Sequence, residues 1–266
     1  LIEELEATIA DVGPENIMCM IAEPVLGSGG VIVPPADYNA RCAAVVRSYG
    51  ILYIADEVVT GFGRLGHWFA SEPVFGVVPD IIIFAKGVTS GYLPLGGFVV
   101  SEGLLNQVSG PAANGNIFST GYTWSANPVS CSAALAVWEI IEREQILEHV
   151  RGVSGYFLEQ LNTLTALPLV REVRGQGLMA AIDLMPPADL LSGSALDQDY
   201  ALGDLVDECC YARGLIVRPL INVCVISPPL IITRGQIDEL VEKFRAGIEA
   251  AAIELSRRYP CTDESL

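Results

Sequence analysis

Apolar residues in the first half of the chain occur in short continuous runs, which polar and Gly/Pro-rich segments separate. Four of these runs predict buried strands, namely Ile17–Glu23, Ile51–Asp56, Asp80–Lys86 and Gly97–Ser101. The apolar positions of Tyr38–Tyr49 recur with helical spacing. Continuous Ile/Val-rich runs, as opposed to strict alternation, are typical of strands that are covered on both faces. The first half is therefore predicted to be an α/β domain with a mostly parallel sheet.

The pattern changes from Pro128 onward, where longer helical segments surround two strand-like ones. The predicted elements are, in order, helices Pro128–Glu144 and Ile146–Leu164, strands Val170–Arg174 and Leu178–Leu184, and helices Asp199–Arg213 and Arg234–Arg257. This order indicates a smaller α+β domain. We place the boundary near residue 150, which predicts domains of residues 1–150 and 151–266.

Charge excludes two classes of partner. The formal net charge is −17, and Lys and Arg together number only 15. Binding to nucleic acid requires basic residues that neutralise phosphates, and binding to an anionic membrane surface requires basic residues as well. No apolar run approaches the roughly 18 residues of a membrane-spanning helix. The chain starts at Leu1, without Met, in an acidic segment unlike a signal peptide, so we expect a processed or incomplete chain.

Cysteine and histidine give no indication of a metal centre. The seven cysteines form no CxxC pair; they are Cys19, Cys42, Cys131, Cys209, Cys210, Cys224 and Cys261. The two histidines, His67 and His149, lie far apart along the chain, which disfavours a zinc site of the usual kind. The expectation is a metal-free cytoplasmic protein with reduced cysteines.

Ionisable residues follow three of the predicted strands, at Glu23, Asp56 and Lys86. Ligands of open α/β sheets gather at the carboxyl ends of the strands, which makes these residues candidates for a site. The alternative is that each of them only marks the point where a strand meets solvent.

Lysine usage favours a functional role for Lys86. The chain has only one other lysine, Lys243, which lies in a charged helical segment and needs no explanation beyond solubility. Lys86 ends an apolar run and precedes Gly87 and a Gly/Pro-rich loop. We expect its side chain to be partly desolvated there, which favours the neutral, nucleophilic amine that a Schiff base requires.

A glycine pattern offers a competing interpretation. Gly61, Gly63 and Gly66 have the GxGxxG spacing of dinucleotide-binding loops. The first of these glycines lies five residues beyond Asp56 and does not close the strand, no convincing helix follows, and Lys86 stands where an acidic residue should bind the ribose. Nicotinamide binding is therefore disfavoured.

The motifs together resemble the class III aminotransferases, fold type I of the pyridoxal-phosphate (PLP) enzymes. The segments that carry the resemblance are IAEPVLGSGGVIVPP, ILYIADEVVTGFGRLG, PDIIIFAKGVTSGYLPLGG, FSTGYTWSANPVSCSAALA and GLIVRPLINVCVISPPLIIT, which span nearly the whole chain. The resemblance is greatest to omega-aminotransferases that use pyruvate as amino acceptor. It implies that residues 1–150 are part of a PLP-binding large domain and residues 151–266 a small C-terminal domain. The implied reaction is transfer of an amino group from an amine or omega-amino acid to a keto acid.

The resemblance also implies roles around the cofactor, pyridoxal 5′-phosphate. Asp56 would pair with the ring nitrogen, Lys86 would form the Schiff base and then move a proton, and Val58 would pack against one ring face. Thr123 would bind the phosphate of the other subunit, which implies a homodimer with its sites at the interface. The alternatives are an ordinary core valine at Val58 and a simple turn residue at Thr123.

Three further positions would contact the substrate. Arg218 matches a mobile arginine that binds a substrate carboxylate, a group that its guanidinium can pair bidentately. Glu23 could partner an arginine near the substrate, and Trp124, where many relatives carry Tyr, would line the pocket or the interface. The alternative for Arg218 is a surface arginine at a strand end.

Two departures from the family pattern bear on activity. Thr120 and Asn127 replace two histidines of the omega-type motif, so substrate preference cannot be transferred from those relatives. The N-terminal portion of the family, with its phosphate loop and an aromatic residue over the cofactor, is missing from this chain. We therefore expect the chain alone to bind PLP poorly, and to expose strand edges and apolar patches.

Two rival functions remain open at this point. Aminomutases, decarboxylases and racemases share these motifs with the aminotransferases, and only the transferase makes alanine from pyruvate. A truncated, non-catalytic homologue would retain the fold without binding the cofactor.

Overall fold

The computed structural model describes residues 1–110, 114–186 and 194–258, and the chain divides into two compact units. The first unit comprises residues 1–25 and 34–148, and the second comprises residues 26–33 and the chain from His149 onward. Cys261 lies outside the described residues. The segment 26–33 thus clusters with residues more than a hundred positions later, which the sequence did not indicate.

The first unit is built around a four-stranded sheet of order β1-β2-β3-β4. Its strands are β1 Cys19–Ala22, β2 Leu52–Asp56, β3 Ile81–Phe84 and β4 Gly97–Val100. Its helices are α1 Ile2–Val12, α2 Tyr38–Ser48, α3 Ser71–Phe75, α4 Glu102–Val108 and α5 Pro128–Arg143. The first three strands run parallel, and β4 is antiparallel to β3.

One face of this sheet carries the core of the unit. Strand β2 alternates, since Tyr53 and Ala55 are buried while its other residues are half-buried. The two buried residues pack with α1 and α2 in one apolar cluster, which consists of Ile9, Cys42, Ala43, Val46, Ile51, Tyr53, Ala55 and Val77. The expectation that the strands are covered on both faces is therefore wrong for the described chain. Ile21 of β1 is exposed and does not belong to this cluster.

The second unit contains an antiparallel sheet of order β5-β6-β8-β7. Its elements are α6 Ile146–Asn162, β5 Val170–Gln176, β6 Met179–Leu184, α7 Ala195–Tyr211, β7 Arg218–Leu220, β8 Val223–Ile226 and α8 Arg234–Arg258. Every residue of β6 is buried, which places this strand at the centre of the unit. Ser194 begins α7 with a capping box, in which its hydroxyl and the carboxylate of Asp197 satisfy each other's backbone N–H groups.

The predicted α/β fold class is confirmed, and the predicted strands and helices are present with small shifts at their ends. The largest shift is in α7, which begins at Ala195 and not at Asp199 because the capping box sets its start. Helices α1, α3 and α4 and strands β7 and β8 were not predicted. Within the three described ranges, no helix is sufficiently long and apolar to cross a membrane.

Candidate active site

The three ionisable residues at strand ends lie along one edge of the first sheet. Strands β1, β2 and β3 are parallel, so their carboxyl ends meet at the same edge. Ala22 pairs with Ala55, and Glu23 and Asp56 are the next residues along the chain. Asp56 in turn pairs with Ile83, three residues before Lys86. Asp56 and Lys86 therefore follow neighbouring strands, about 4.8 Å apart, at the same edge of the sheet.

Asp56 is the last residue of β2 and is half-buried. Its Oδ1 accepts a hydrogen bond of 3.1 Å from the backbone N–H of Val58. This local bond fixes the direction of the carboxylate at the strand end. Val58 itself is half-buried, which is compatible with a residue that borders a site and also with a core valine.

Glu57, the next residue, is entirely buried and accepts four hydrogen bonds. They come from the hydroxyls of Thr60, at 2.8 Å, and Ser71, at 2.6 Å, and from the backbone N–H groups of Ala70, at 2.8 Å, and Ser71, at 2.7 Å. All four partners are hydrogen-bond donors, and a carboxylate that is withdrawn from water needs such donors to remain stable. The sequence did not single out Glu57, because nothing in an Asp-Glu pair shows which of the two residues is buried.

The loop with the GxGxxG spacing is a hydrogen-bonded turn and not the start of a helix. The N–H of Phe62 donates to the carbonyl of Trp68 at 2.7 Å, and that of Gly63 donates to the carbonyl of His67 at 2.9 Å. The next helix, α3, begins at Ser71 and has five residues. A dinucleotide loop needs a helix N-terminus directly after its glycines, so this geometry disagrees with nicotinamide binding.

Lys86 begins a 3-10 turn, Lys86–Thr89, in the left-handed region with φ of 41°. Its side chain is exposed, so the expectation that it is partly desolvated is wrong for this chain. The physical reason is its position two residues beyond the end of β3, where the backbone has already turned out of the sheet. The residues that follow are packed, since Val88 is fully buried.

The turn after Lys86 rests on the loop that follows Asp56. A Cβ atom on Gly87 would lie 2.9 Å from Cβ of Phe62 and 3.3 Å from the carbonyl oxygen of Gly61, so only glycine allows this approach. Val88 and Phe62 belong to one apolar cluster with Ala134 of α5. Phe62 also stacks on Trp138 of α5, with ring centroids 5.9 Å apart. The turn that begins at Lys86 thus packs against Phe62 and α5.

Thr123 and Trp124 lie in an exposed turn before α5. The hydroxyl of Ser125 accepts a 2.8 Å hydrogen bond from the N–H of Tyr122, which closes the turn. Asn127 then caps α5, because its Oδ1 accepts hydrogen bonds from the first backbone N–H groups of the helix. Trp124 is 79% exposed, an unusual position for an indole ring in a chain considered alone.

Arg218 belongs to the second unit and begins β7, an edge strand of that sheet. It pairs with Val225 of β8, and its side chain is exposed. The other lysine, Lys243, also lies in this unit, where its Nζ is 2.7 Å from the carboxylate of Glu239 one helical turn away. In the part of the chain that the structure describes, no group of three or more His, Cys, Asp or Glu residues is arranged to bind a metal ion.

Comparison with known proteins agrees with this geometry. The family model described as "Aminotransferase class-III" matches residues 1–248. The putrescine–pyruvate aminotransferase of Pseudomonas aeruginosa is 40% identical over 251 residues, which are 94% of this chain and 53% of that protein. The chain therefore spans about half the length of this curated relative.

Two solved structures show a similar fold at the same level of identity. An (S)-enantioselective omega-transaminase from Thermomicrobium roseum has a TM-score of 0.84 and 40% identity, over 94% of this chain and 55% of that one. An amine transaminase from an uncultivated Pseudomonas species, solved in its PLP-bound form, has a TM-score of 0.82 and 40% identity, over 94% of this chain and 56% of that one.

Proposed function

The chain belongs to the class-III aminotransferases, and we propose that it carries the reactive lysine and the ring-nitrogen carboxylate of a PLP-dependent amino transfer. The donor is an amine or omega-amino acid, and the acceptor is a keto acid such as pyruvate. One observation carries the proposal: Asp56 and Lys86 leave adjacent parallel strands at the same edge of the sheet.

The chemistry of these two side chains fits the cofactor. PLP offers an aldehyde carbon that an amine attacks and a ring nitrogen that a carboxylate can keep protonated. When bound, the cofactor withdraws electrons from the substrate carbon that loses its proton. Asp56, oriented by the N–H of Val58, holds the proton on the ring nitrogen. Lys86 Nζ would take the proton from the substrate carbon and give it to the cofactor in the first half-reaction, and it would move a proton in the opposite direction in the second.

The remaining cofactor residues are proposed from the family pattern, and the first unit is proposed to be part of the cofactor-binding large domain. Val58 would lie against one face of the ring. Thr123 would reach the phosphate held by a second copy of the chain, which makes the protein a homodimer. An exposed apolar segment around Thr123 supports this proposal; its large side chains are Ile117, Phe118, Tyr122 and Trp124.

Substrate contacts are proposed for Arg218, Glu23 and Trp124, with the second unit as the small C-terminal domain. Putrescine, named for the Pseudomonas aeruginosa relative, carries no carboxylate, whereas pyruvate carries one. A guanidinium that can swing in and out accommodates both, because it pairs with the keto acid and withdraws from the diamine. The exposed position of Arg218 on an outer strand supports such movement.

The test is reductive trapping with borohydride after addition of PLP, followed by digestion and mass spectrometry. The chain has two lysines, so Lys243 is an internal control for nonspecific reaction. An adduct on Lys86 would block tryptic cleavage there and leave residues 65–143 as one peptide. Because the chain alone is expected to bind PLP poorly, PLP is titrated to high concentration, and we expect this peptide to appear at concentrations at which Lys243 is unmodified.

Equal modification of both lysines, or none on Lys86 in a folded sample, would contradict the proposal and favour a non-catalytic homologue. Product analysis then separates the reactions that share this site. Unreduced protein that is an aminotransferase makes alanine from pyruvate and an amine, and it loses that activity in Lys86→Arg but not in Lys243→Arg. Loss of carbon dioxide, or isomerisation without alanine, would identify a decarboxylase or an aminomutase.

A further inference from the structure

We propose that Glu57 is a positioning residue for Lys86. The inference rests on the function proposed above and concerns how the lysine is held next to Asp56. Glu57 does not reach the cofactor, because its side chain is fully buried and turned toward the loop that follows it.

Glu57 closes the loop between Val58 and Ser71 at both ends. The hydroxyl of Thr60 binds its carboxylate at the start of the loop, and the backbone of Ala70 and the backbone and hydroxyl of Ser71 bind it at the end. Hydrogen bonds to a charged acceptor are stronger than those between neutral groups, and a buried carboxylate that loses them destabilises the fold strongly. A single side chain therefore ties the start of the loop to its end.

The backbone of Glu57 is tied to the strand that leads to Lys86. Its N–H donates to the carbonyl of Ile83 at 2.9 Å, and its carbonyl accepts from the N–H of Gly61 at 3.0 Å. The second bond needs glycine at position 61, where a Cβ atom would lie 2.8 Å from the carbonyl oxygen of Glu57. One residue thus links β2, β3 and the loop.

The loop then supports the turn that carries Lys86. Phe62 is buried with a positive φ of 55°, a strained conformation that persists only where the surroundings impose it. Its Cβ fills the space against Gly87, and its ring packs between Phe84 and Trp138 at centroid distances of 5.6 and 5.9 Å. A loop released from Glu57 would let Phe62 relax, and the backbone at Lys86 would lose its support.

The contrast with Asp56 separates the two acids by role. Asp56 is half-buried and bound by one backbone N–H, so it is available to a ligand at the edge of the sheet. Glu57 has its acceptor positions engaged within the protein. The arrangement assigns contact with the cofactor to the first acid and placement of the lysine to the second.

The experiment compares Glu57→Gln with Glu72→Gln, an exposed glutamate of the neighbouring helix α3. Glu57→Gln keeps the size of the side chain but replaces one acceptor oxygen with an NH₂ group that faces donors. A second pair uses Thr60→Val, which removes one donor without changing volume, and Thr60→Ser, which keeps that donor. Folding is monitored by near-ultraviolet circular dichroism, which reports the aromatic cluster around Phe62 and Trp138.

The readout is the PLP concentration that gives half-maximal trapping on Lys86, with Lys243 as the internal reference. A displaced lysine nitrogen is expected to raise this concentration about tenfold or more in Glu57→Gln, and less in Thr60→Val. Thr60→Ser and Glu72→Gln should match the wild type. The pH at which the visible absorption of the bound cofactor changes should shift in Glu57→Gln and in Thr60→Val. Simple loss of folded protein does not produce such a shift.

Folded Glu57→Gln with unchanged half-maximal trapping and an unchanged absorption profile would overturn the inference. If Glu57→Gln does not fold, Thr60→Val decides, and a wild-type result there overturns it equally. A wild-type chain that traps PLP on Lys86 while every variant behaves alike contradicts only the role of Glu57. A wild-type chain that traps nothing on Lys86 contradicts the proposed function as well.

Discussion

Arg174 donates a hydrogen bond of 3.0 Å from its Nε to the carbonyl oxygen of Gly30, 144 residues earlier in the chain. The same guanidinium places Nη1 2.9 Å from Oδ2 of Asp183, a carboxylate that is 5% exposed. A Cβ atom on Gly30 would lie 3.2 Å from this guanidinium, and its φ of 104° favours glycine. The contact explains why the segment 26–33 packs with the second unit although it follows β1 of the first.

Asp183→Asn should lower the free energy of unfolding by about 2–4 kcal/mol, because it leaves the guanidinium of Arg174 without its buried partner. Urea denaturation with the slope held constant measures this change. Arg171→Gln is the matched comparison. Arg171 also binds both oxygens of Asp183 at 2.7 Å, but it is 53% exposed, so its loss should cost at most about 1 kcal/mol. Equal effects of the two variants would contradict the assignment of Asp183 and Arg174 as the buried pair.

Gly87→Ala should both destabilise the first unit and impair trapping of PLP on Lys86. The added Cβ would overlap Phe62 at 2.9 Å, and overpacking of this kind costs about 1–3 kcal/mol. Gly152→Ala is the control, since Gly152 lies inside α6 with no atom within 4 Å of the added carbon. That control should stabilise the chain by about 0.5–1 kcal/mol. Thermal unfolding and the trapping yield are measured on both variants, and a wild-type yield in folded Gly87→Ala would show that the turn tolerates the displacement.

The strand ends of the candidate site could be predicted from local sequence. Continuous apolar runs that end in Asp56 and near Lys86 indicate both the strands and the edge at which they stop, because parallel strands place their carboxyl ends together. The scarcity of lysine then singles out Lys86. Such features depend on neighbouring residues only, which is why they are visible without a structure.

Long-range contacts could not be predicted in this way. The burial of Glu57 depends on Ala70 and Ser71, which fold back from the far end of a loop. The docking of the segment around Gly30 depends on a guanidinium from β5. The exposure of Lys86 depends on which residues from elsewhere in the chain cover the end of β3. An apolar run before a lysine indicates only that the strand leading to it is buried.

Ile117→Glu should weaken self-association if the exposed apolar segment is a subunit interface. Ile117 is 82% exposed in the chain considered alone, and so is Ile216 of the second unit, which makes Ile216→Glu a matched control. A charge buried at the centre of an interface costs about 2 kcal/mol or more, which corresponds to roughly a thirtyfold weaker dimer. Sedimentation velocity over a dilution series measures the dissociation constant. A dimer weakened by Ile216→Glu and not by Ile117→Glu would place the interface elsewhere.

Arg218→Gln should weaken the binding of omega-amino acids and leave the binding of amines without a carboxylate unaffected. The amine half-reaction is followed without keto acid, so that the carboxylate of pyruvate does not enter the comparison. Loss of a bidentate guanidinium–carboxylate pair should raise KM for the amino acid about tenfold or more. Arg213→Gln, another exposed arginine of the same unit, is the control. An equal loss with both donors would mean that Arg218 supports the fold and does not select the substrate.

Alkaline pH should destabilise the first unit through Tyr53. Burial of this ring, which is 2% exposed, raises the pKa of its phenol to about 12 from an ordinary value of 10.0. A raised pKa means that the folded state retains the proton more tightly than the unfolded state. The resulting stability is fully present below pH 10 and is lost as the pH rises from 10 to about 12.

Tyr53→Phe removes this titration and should flatten the loss of stability over that pH window. The difference in the free energy of unfolding between wild type and variant should change by at most about 2–3 kcal/mol across this window, since each pKa unit corresponds to about 1.4 kcal/mol. Urea midpoints measured at several pH values test this, with Tyr49→Phe, at an exposed ring, as the control for loss of a hydroxyl. Cys210 titrates in an overlapping window, because burial raises the pKa of its thiol to about 12, so some alkaline loss should remain in Tyr53→Phe. Parallel pH profiles for wild type and Tyr53→Phe would show that the phenol at position 53 takes no part in the transition.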